Sequence, residues 1–225
     1  MRAALVGAVD FNAKDFAARH AARAFDCIIA VDAGWLSCTD AGISADYALG
    51  DFDSLGYVPT GCEIVQFPHV KDESDMELAC NYAIQLGADE LFIYGAFAAR
   101  LDHTFANIAL LAKFAQEGCK MVGVGSDFAI CALVGNTSVS LLQLSAFDPA
   151  NLHGSYAPYL SLFTVGADVA GLSIEGMAYS AHDISLPAAT SRGLSNEFIG
   201  EPVCISVREG VVIAIFPLAA LEYIQ

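Results

Sequence analysis

Two aspartates stand two positions apart in Gly50-Asp51-Phe52-Asp53, directly after a short apolar run. Bare carboxylates are costly to bury, so this pair must either face water or hold a cation. Side chains at i and i+2 of an extended segment point to the same side, and paired carboxylate oxygens suit a hard divalent ion such as Mg²⁺. Considered alone, the stretch also fits an ordinary turn in which Gly50 supplies an unusual φ and Asp53-Ser54 caps a following helix.

A second polar cluster, Arg100-Leu101-Asp102-His103, opens a predicted helix. Helix N-termini attract anions and an arginine can hold a phosphate through two hydrogen bonds, so Arg100 and Asp102 are candidate functional residues. Asp102 would also serve as a cap or first-turn acid without a catalytic role. His103 is a further candidate, although its i,i+4 spacing to Asn107 would also let these two side chains bond each other.

The segment between these clusters carries Lys71 and the sequence Ser74-Asp75-Met76-Glu77. Ser-x-x-Glu is a capping box, which predicts a helix behind Ser74. Asp75, in the first turn of that helix, could turn toward a cation shared with Asp51 and Asp53. Lys71 fits either a phosphate contact or a solvated loop charge.

Short apolar strands alternate with helices over the first half of the chain. The predicted strands are Ala3–Val9, Cys27–Val31, Tyr47–Leu49, Glu63–Phe67, Glu90–Tyr94 and Lys120–Val124. Helices are predicted near 11–25, 34–41, 75–86 and 102–117, the last with Phe105, Ile108, Ala109 and Ala112 facing inward. This alternation favours a mostly parallel, Rossmann-like sheet covered on both faces by helices.

Parallel sheets of this kind bind ligands beyond the carboxyl ends of their strands. Four consecutive strand ends carry polar or charged residues: Asp32; Asp51 and Asp53; Lys71, Ser74 and Asp75; and Arg100, Asp102 and His103. Because chance placement would scatter such residues over both rims of the sheet, their convergence predicts an active site and favours the metal interpretation of the aspartate pair.

Beyond about Asp127, strand-like segments follow one another without a long helical pattern. They are Phe128–Val134, Ser138–Leu144, Tyr159–Val165, Ala167–Ile174, Val203–Val207 and Val211–Phe216. Gly135-Asn136 is a turn signal, Arg208-Glu209-Gly210 predicts a tight hairpin, and 146–157 and 180–197 are longer loops. We therefore expect two domains, an α/β domain over 1–126 and an all-β domain of sandwich or barrel type over roughly 127–225.

The composition excludes several classes of protein. A hydrophobic fraction of 56% with 16% charged residues supports a packed core. The 10 Lys and Arg against 26 Asp and Glu give a net charge of −16, which is unsuited to nucleic acid or an anionic membrane. No apolar run reaches the roughly 20 residues of a membrane span. A phosphate substrate stays compatible, since a cation, backbone N–H groups and a few basic side chains can bind it.

Several familiar signatures are missing from the sequence. The seven cysteines have no zinc-site spacing and lie mostly in apolar runs, so we expect reduced thiols and a cytoplasmic protein. The chain has no P-loop, GxGxxG or GxSxG motif. No partner is visible in the sequence for His69, His153 or His182, and Ser195-Asn196 on its own fits an ordinary loop.

Taken together, the motifs resemble those of the thiamine pyrophosphokinase family. The resemblance rests on 45–55 (ADYALGDFDSL), 71–79 (KDESDMELA) and 100–108 (RLDHTFANI), in that order and spacing. Val31-Asp32-Ala33-Gly34 is similar to an early Asp-Gly-Gly segment of the family, and Gly193–Phe198 is similar to its Ser-Asn segment. The resemblance spans nearly the whole chain.

The resemblance implies an N-terminal α/β domain, a C-terminal β-sandwich and a homodimer with its active site at the interface. The implied reaction transfers pyrophosphate from ATP to the hydroxyl group of thiamine and releases AMP. Its implied Mg²⁺ ligands are Asp51, Asp53 and Asp75. The implied ATP and reaction site is formed by Asp32, Lys71, Ser74, Arg100, Asp102 and His103, and the thiamine contacts are Ser195 and Asn196 from the partner subunit. Either Asp75 or Asp102 could accept the hydroxyl proton.

The chain departs from the family pattern before Arg100, where Ala98-Ala99 replaces a glycine pair. Cβ atoms there could block close approach of the backbone to phosphate. Two alternatives therefore stay open: a diphosphotransferase acting on another small alcohol, and a catalytically inactive sensor that binds thiamine or a nucleotide.

Overall fold

The computed structural model describes residues 1–97, 100–135 and 140–224. The chain separates into two compact units. Unit 1 comprises Met1–Leu110 and Gly118–Ser126, and unit 2 comprises Leu111–Glu117 and Asp127–Gln225. Among the described residues, no helix combines the length and apolar character needed to cross a membrane.

Strands and helices alternate in the part of the chain that forms unit 1. In chain order they are β1 (Arg2–Val9), α1 (Ala13–Ala21), β2 (Cys27–Val31), α2 (Gly34–Asp40), β3 (Tyr47–Gly50), β4 (Glu63–Gln66), α3 (Asp75–Gln85), β5 (Glu90–Ala96), α4 (Leu101–Gln116) and β6 (Lys120–Val124). β1 pairs in parallel with β2 and β5, β2 with β3, β3 with β4, and β5 with β6. The strand order is therefore β6-β5-β1-β2-β3-β4.

The buried strands explain why this sheet was readable from sequence. All five residues of β2 are buried, as are Ala3–Val6 of β1, so each strand is a continuous apolar run rather than an alternating one. Strands buried on both faces produce this pattern in parallel sheets. The chain moves outward from β1 to β4 on one side and returns to β5 on the other, which makes the β1–β5 boundary a topological switch point.

The prediction of which α4 residues face inward is wrong in part. Phe105 is 71% exposed and Ala109 is exposed, whereas Ala112 is buried as expected. The side chains that α4 buries include Asn107, Leu110, Leu111, Ala112 and Phe114. Apolar residues occur nearly all around this helix, so the sequence leaves the rotational phase of its buried stripe undetermined.

Unit 2 contains two antiparallel sets of strands. Its strands are β7 (Phe128–Gly135), β8 (Ser140–Leu144), β9 (Tyr159–Thr164), β10 (Val169–Glu175), β11 (Ala181–Leu186), β12 (Asn196–Glu197), β13 (Val203–Val207) and β14 (Gly210–Pro217). One set runs in the order β12-β9-β14-β7 and the other in the order β11-β10-β13-β8. The expected combination of a mostly parallel α/β part and an all-β part is confirmed.

Two local predictions for unit 2 are wrong. β13 and β14 do not form a hairpin, because β13 pairs with β8 and β10 while β14 pairs with β7 and β9. Glu209, in the link between them, instead exchanges backbone hydrogen bonds with Ala170. The segment 180–197, predicted as a loop, contains β11 and β12. The predicted turn at Gly135-Asn136 and the start of the predicted strand at Ser138 include positions outside the described residues.

Candidate active site

A cleft of about 490 Å³ lies in unit 1 at the β1–β5 switch point. Gly7 at the end of β1 and Gly95 at the end of β5 both line it. A Cβ added to Gly7 would lie 2.5 Å from the carbonyl oxygen of Gly95, so only glycine lets the two strands approach this closely. Of the predicted site residues, the cleft is lined by Asp32, Asp51, Lys71, Ser74, Asp75, Arg100 and His103.

The aspartate pair follows β3 in a turn rather than an extended segment. Phe52, between the two acids, has φ 59° and is only 3% exposed. A left-handed backbone is costly for a bulky side chain, and burial of the ring helps to hold it. The N–H of Asp53 donates to Oδ1 of Asp51 over 3.2 Å. The turn thus fixes the spacing of the carboxylates, which the sequence analysis attributed to an extended strand.

His69 joins the aspartate pair, and the sequence analysis had assigned it no role. Its Nδ1 lies 3.1 Å from Oδ2 of Asp51 and 3.6 Å from Oδ2 of Asp53. One ligand atom from each of the three residues lies within 4.8 Å of the other two. The only sequence signal was its position just before Lys71 in the loop that follows β4. Two carboxylates and an imidazole within this distance fit a divalent cation.

Lys71 lies between Asp51 and Asp75. Its Nζ is 3.3 Å from Oδ2 of Asp51 and 2.9 Å from Oδ1 of Asp75, and the Lys71 and Asp51 side chains are each only 12% exposed. Burial lowers the pKa of Lys71, but the two carboxylates outweigh burial and raise it above its usual value. Burial raises the pKa of Asp51, but the Asp53 N–H, His69 and Lys71 outweigh it and leave the pKa below its usual range.

Ser74 and Asp75 begin α3 as the capping box predicted. Ser74 is the N-cap, and its hydroxyl oxygen accepts a 3.2 Å hydrogen bond from the N–H of Glu77. Asp75 occupies the first turn and faces Lys71. It is not part of the three-residue group formed by Asp51, Asp53 and His69.

Asp32 follows β2 with a left-handed backbone, φ 48°. Its Oδ2 accepts a hydrogen bond of 2.5 Å from the hydroxyl of Ser54, which links the ends of β2 and β3. Its Oδ1 is buried and has no hydrogen-bond partner among the described residues. A buried carboxylate oxygen without a partner is costly, so this atom is a candidate for contact with a bound group.

Arg100 and Asp102 form an exposed pair at the start of α4. The guanidinium donates through Nε over 3.1 Å and through Nη2 over 2.5 Å to the two oxygens of Asp102. The hydrogen bond from Arg100 lowers the pKa of Asp102 to about 2. Arg100 and His103 line the cleft. Asn107 donates to the carbonyl of Ala96 over 2.7 Å, which ties α4 to the end of β5. Ala98 and Ala99, on which the inactive alternative depends, lie outside the described residues.

Ser195 and Asn196 lie in unit 2. Ser195 is exposed with φ 57°. Asn196 is buried, and its amide accepts from the N–H of Tyr179 over 2.9 Å and donates to the carbonyl of Tyr179 over 2.8 Å. A second cleft of about 280 Å³ is lined by apolar side chains together with Tyr179, Arg192 and Asn196. The structure thus gives Asn196 a backbone-holding role in addition to any ligand contact.

Unit 1 has a switch-point cleft that contains both carboxylates and basic side chains, and unit 2 is all β. This is a combination expected of a transferase that handles phosphate groups. Family models describe the same two parts. Residues 18–123 match the model "Thiamin pyrophosphokinase, catalytic domain", and residues 149–212 match "Thiamin pyrophosphokinase, vitamin B1 binding domain". The chain belongs to the thiamine pyrophosphokinase family, as its motifs predicted.

Individual relatives agree with this assignment. The thiamine pyrophosphokinase of Bacillus subtilis (strain 168) is 25% identical over 193 residues, covering 83% of this chain and 85% of the relative. A crystal structure of the Bacillus subtilis enzyme superposes with a TM-score of 0.76 at 22% identity, covering 96% and 98% of the two chains. The thiamin pyrophosphokinase of Candida albicans gives a TM-score of 0.72 at 15% identity, covering 95% and 88%. These structural likenesses establish the shared fold.

Proposed function

We propose that this protein transfers the pyrophosphoryl group of ATP to the hydroxyl group of thiamine, forming thiamine diphosphate and AMP, with Mg²⁺ bound at Asp51 and Asp53. One observation carries the proposal: the catalytic-domain match contains a cleft in which Asp51 and Asp75 face Lys71 and Arg100. Carboxylates that can hold a cation and basic groups that can hold phosphate are the parts that phosphoryl transfer needs.

The residues present fit a divalent cation. Asp51, Asp53 and His69 already bring their ligand atoms within 4.8 Å of one another. We assign Asp51, Asp53 and Asp75 to Mg²⁺, with Asp75 reaching it when Lys71 turns to the phosphates. When bound, Mg²⁺ neutralises charge on the triphosphate oxygens. This assignment gives the Lys71 ammonium two alternative partners, the carboxylates without nucleotide and the phosphates with it.

The basic side chains around the cleft bind the nucleotide in this proposal. Lys71, Arg100 and His103 hold the phosphates, together with Ser74 and the N–H groups at the start of α3. The thiamine oxygen attacks the β-phosphorus, the bond from that phosphorus to the α–β bridging oxygen breaks, and AMP leaves. The protein mainly aligns the alcohol with the leaving group, because phosphoryl transfer depends on positioning and charge stabilisation.

A carboxylate must accept the hydroxyl proton of thiamine. Asp75 lines the cleft, and Asp32 offers an oxygen without a partner among the described residues. Asp102 is bonded through both its oxygens to Arg100. We therefore assign proton acceptance to the Asp75 carboxylate oxygen that does not bind Mg²⁺, orientation of the substrate to Asp32, and positioning of Arg100 to Asp102.

We further propose a cytoplasmic homodimer in which residues 1–126 form the Rossmann-like catalytic domain and residues 127–225 form the thiamine-binding sandwich. Ser195 and Asn196 of the partner subunit contact thiamine in this arrangement. The vitamin B1 binding match over 149–212 supports the role of the second domain. The seven cysteines all lie in the described part of the chain and none of them forms a disulfide there, which suits a reducing compartment.

The test is an assay of thiamine with Mg²⁺ and ATP in which the nucleotide products are separated. We expect equal amounts of thiamine diphosphate and AMP. Formation of ADP, or of no thiamine product at saturating Mg²⁺·ATP, would refute the proposal. A panel of other small alcohols checks the alternative acceptor, and calorimetry that shows tight thiamine binding without turnover would favour the inactive sensor.

Asp51→Asn and Asp53→Asn test the metal assignment in the same assay. Each removes one anionic ligand, and we expect turnover to fall by about 100-fold or more. Asp72→Asn is the matched control, because Asp72 is an exposed acid of the same rim that does not line the cleft. Near-normal rates in both Asp51→Asn and Asp53→Asn would refute the assignment of the metal to these residues.

A further inference from the structure

We infer that His69 is a direct ligand of the divalent cation at Asp51 and Asp53, and that its imidazole lets this site bind first-row transition ions such as Mn²⁺ more tightly than Mg²⁺. The inference rests on the proposed function, because it concerns the cation of that same site. It assigns a residue for which the sequence offered no role.

The geometry around His69 matches the spacing of ligands on one ion. An octahedral ion with bonds of about 2.1 Å separates neighbouring ligands by about 3.0 Å and opposite ligands by about 4.2 Å. Nδ1 of His69 lies 3.1 Å from Oδ2 of Asp51 and 3.6 Å from Oδ2 of Asp53. Small side-chain rotations therefore suffice to place all three atoms on one cation.

His69 is within hydrogen-bond distance of Asp51 and has a second carboxylate, that of Asp53, close to the same nitrogen. Nδ1 of an imidazole can donate only one proton, yet oxygens of two carboxylates converge on it. A divalent cation beside both carboxylates would offset their mutual repulsion and could take Nδ1 of His69 as a ligand at the same time. The ring is 75% exposed, so it can turn toward an ion without being drawn out of a packed core.

Lys71 and His69 both contact Oδ2 of Asp51, over 3.3 Å and 3.1 Å, so the cation gains full access to this oxygen when Lys71 turns to the phosphates. The Lys71 ammonium pairs with Asp51 and Asp75. Among the described residues, His69 is the basic side chain that faces Asp53. The turn at Phe52, φ 59°, and the bond from the Asp53 N–H to Asp51 hold the two carboxylates in place beside His69. The two carboxylates are thus close to His69 before any ion arrives, and small side-chain rotations complete the site.

The chemistry of imidazole decides which ions gain from His69. Mg²⁺ prefers oxygen ligands and keeps much of its water, whereas imidazole binds transition ions well. Loss of His69 should therefore weaken Mn²⁺ binding much more than Mg²⁺ binding. We expect a loss for Mn²⁺ of at least the roughly 10- to 100-fold that removal of an outer-shell partner costs a metal site.

The experiment titrates the full-length protein with Mn²⁺ alone and detects bound ion by electron paramagnetic resonance. Pulsed measurements then test for coupling of the Mn²⁺ electron spin to a directly bound imidazole nitrogen. We expect this coupling in the wild-type protein and its loss, with weakened binding, in His69→Gln. Glutamine keeps a polar side chain able to bond Asp51 but has no imidazole nitrogen.

Two further variants identify which histidine is bound. His103→Gln removes the other imidazole that lines the cleft, and His182→Gln removes an exposed one in unit 2. Both should keep the nitrogen coupling. Bound Mn²⁺ without imidazole coupling in the wild type, or coupling that survives His69→Gln and disappears in His103→Gln, would overturn the inference.

The Mn²⁺ measurements distinguish a failure of the His69 assignment from a failure of the proposed reaction. Formation of thiamine diphosphate with Mg²⁺, together with no imidazole coupling, would overturn the ligand assignment and leave the reaction intact. Imidazole coupling that depends on His69, in a protein that makes no thiamine diphosphate, would support the ligand and refute the reaction.

Discussion

Gly7 and Gly95 approach so closely across the β1–β5 boundary that a Cβ on either residue would overlap the carbonyl group of the other. Gly95 also has φ 66°, a conformation that side-chain-bearing residues rarely adopt. The absence of a Cβ at both positions therefore allows the two strand ends to meet where they line the cleft. Their contact gives the first prediction.

Gly95→Ala should destabilise the protein and abolish nucleotide binding. Gly42→Ala is a close control, because Gly42 has φ 68° but a Cβ there would meet no atom of the described residues within 4 Å. Gly42→Ala should cost about 1–2 kcal/mol in unfolding free energy from backbone strain, and Gly95→Ala about 1–3 kcal/mol more from overlap. Urea unfolding followed by circular dichroism measures both, and equal losses would contradict the crowding argument.

Lys71→Met tests the two roles proposed for the Lys71 ammonium, which pairs with the carboxylates when no nucleotide is bound and contacts the phosphates when it is. Without the ammonium, Asp51 and Asp75 lose the cation that lies between them, so Mg²⁺ should bind the nucleotide-free protein more tightly. The loss of a phosphate contact should lower kcat/KM for ATP by about 100-fold. Calorimetry with Mg²⁺ and steady-state kinetics check the two effects. Lys14→Met, at an exposed position of α1, should change neither.

The pair of Arg100 and Asp102 predicts a pH dependence. The native pKa of Asp102 is about 2 against an ordinary value of 3.8. Because the native pKa is depressed, the stabilisation from this pair is present above pH 3.8 and is lost as the pH falls toward 2. Carboxyl NMR should show Asp102 titrating near 2 in the wild type and closer to 3.8 in Arg100→Gln. An unchanged value in Arg100→Gln would rule out Arg100 as the cause.

Ser195→Ala and Asn196→Ala should have different effects, the first on thiamine binding and the second on stability. Asn196→Ala leaves the N–H and carbonyl of Tyr179 without their partner and should cost about 1–3 kcal/mol in unfolding free energy. Ser195→Ala should raise KM for thiamine while stability stays unchanged. Asn151→Ala, at an exposed position, is the control for both measurements. An Asn196→Ala protein as stable as the wild type would argue against a stabilising role for the hydrogen bonds between Asn196 and the Tyr179 backbone.

The cysteines should fall into two groups by how fast they react with a disulfide reagent in the native protein. Burial raises the pKa of Cys27 to about 11 and the pKa values of Cys38 and Cys131 to about 12. Thiolate is the reactive form, so these thiols should resist a disulfide reagent at pH 8. Only the half-buried Cys62 and Cys204 should react in the native protein, Cys62 more slowly because burial raises its pKa as well, and all seven should react in denaturant. Fast reaction of more than two thiols without denaturant would contradict this.

Much of unit 1 could be predicted because its signals are local. The apolar run Cys27–Val31 matches β2 at both ends, and the capping box at Ser74 marks the start of α3. Strand ends in a parallel sheet share one rim, so the meeting of Asp51, Lys71 and Asp75 followed from chain order. These features need no knowledge of which distant residues touch.

Features that depend on distant partners could not be predicted. The link at Glu209 has the length of a hairpin, but pairing with Ala170 sends β13 and β14 to different partners. His69 lies 18 positions from Asp51, with no spacing rule to join them. The left-handed turn at Phe52 is likewise stabilised by burial of its ring, which the local sequence does not reveal.

The central place of β1 has a consequence for how the chain is made. β1 pairs with β2 across a short sequence separation, Ala3 with Cys27, whereas its pairing with β5 joins Arg2 to Glu90. The edge of β1 that faces β5 therefore stays unpaired until the nearly ninety intervening residues have been synthesised. Pairing across such long sequence separations is intrinsically slow. The cleft is lined by residues between Gly7 and Asn107, so the growing chain can form it only once β5 and the start of α4 have been added, when less than half of the 225 residues are in place.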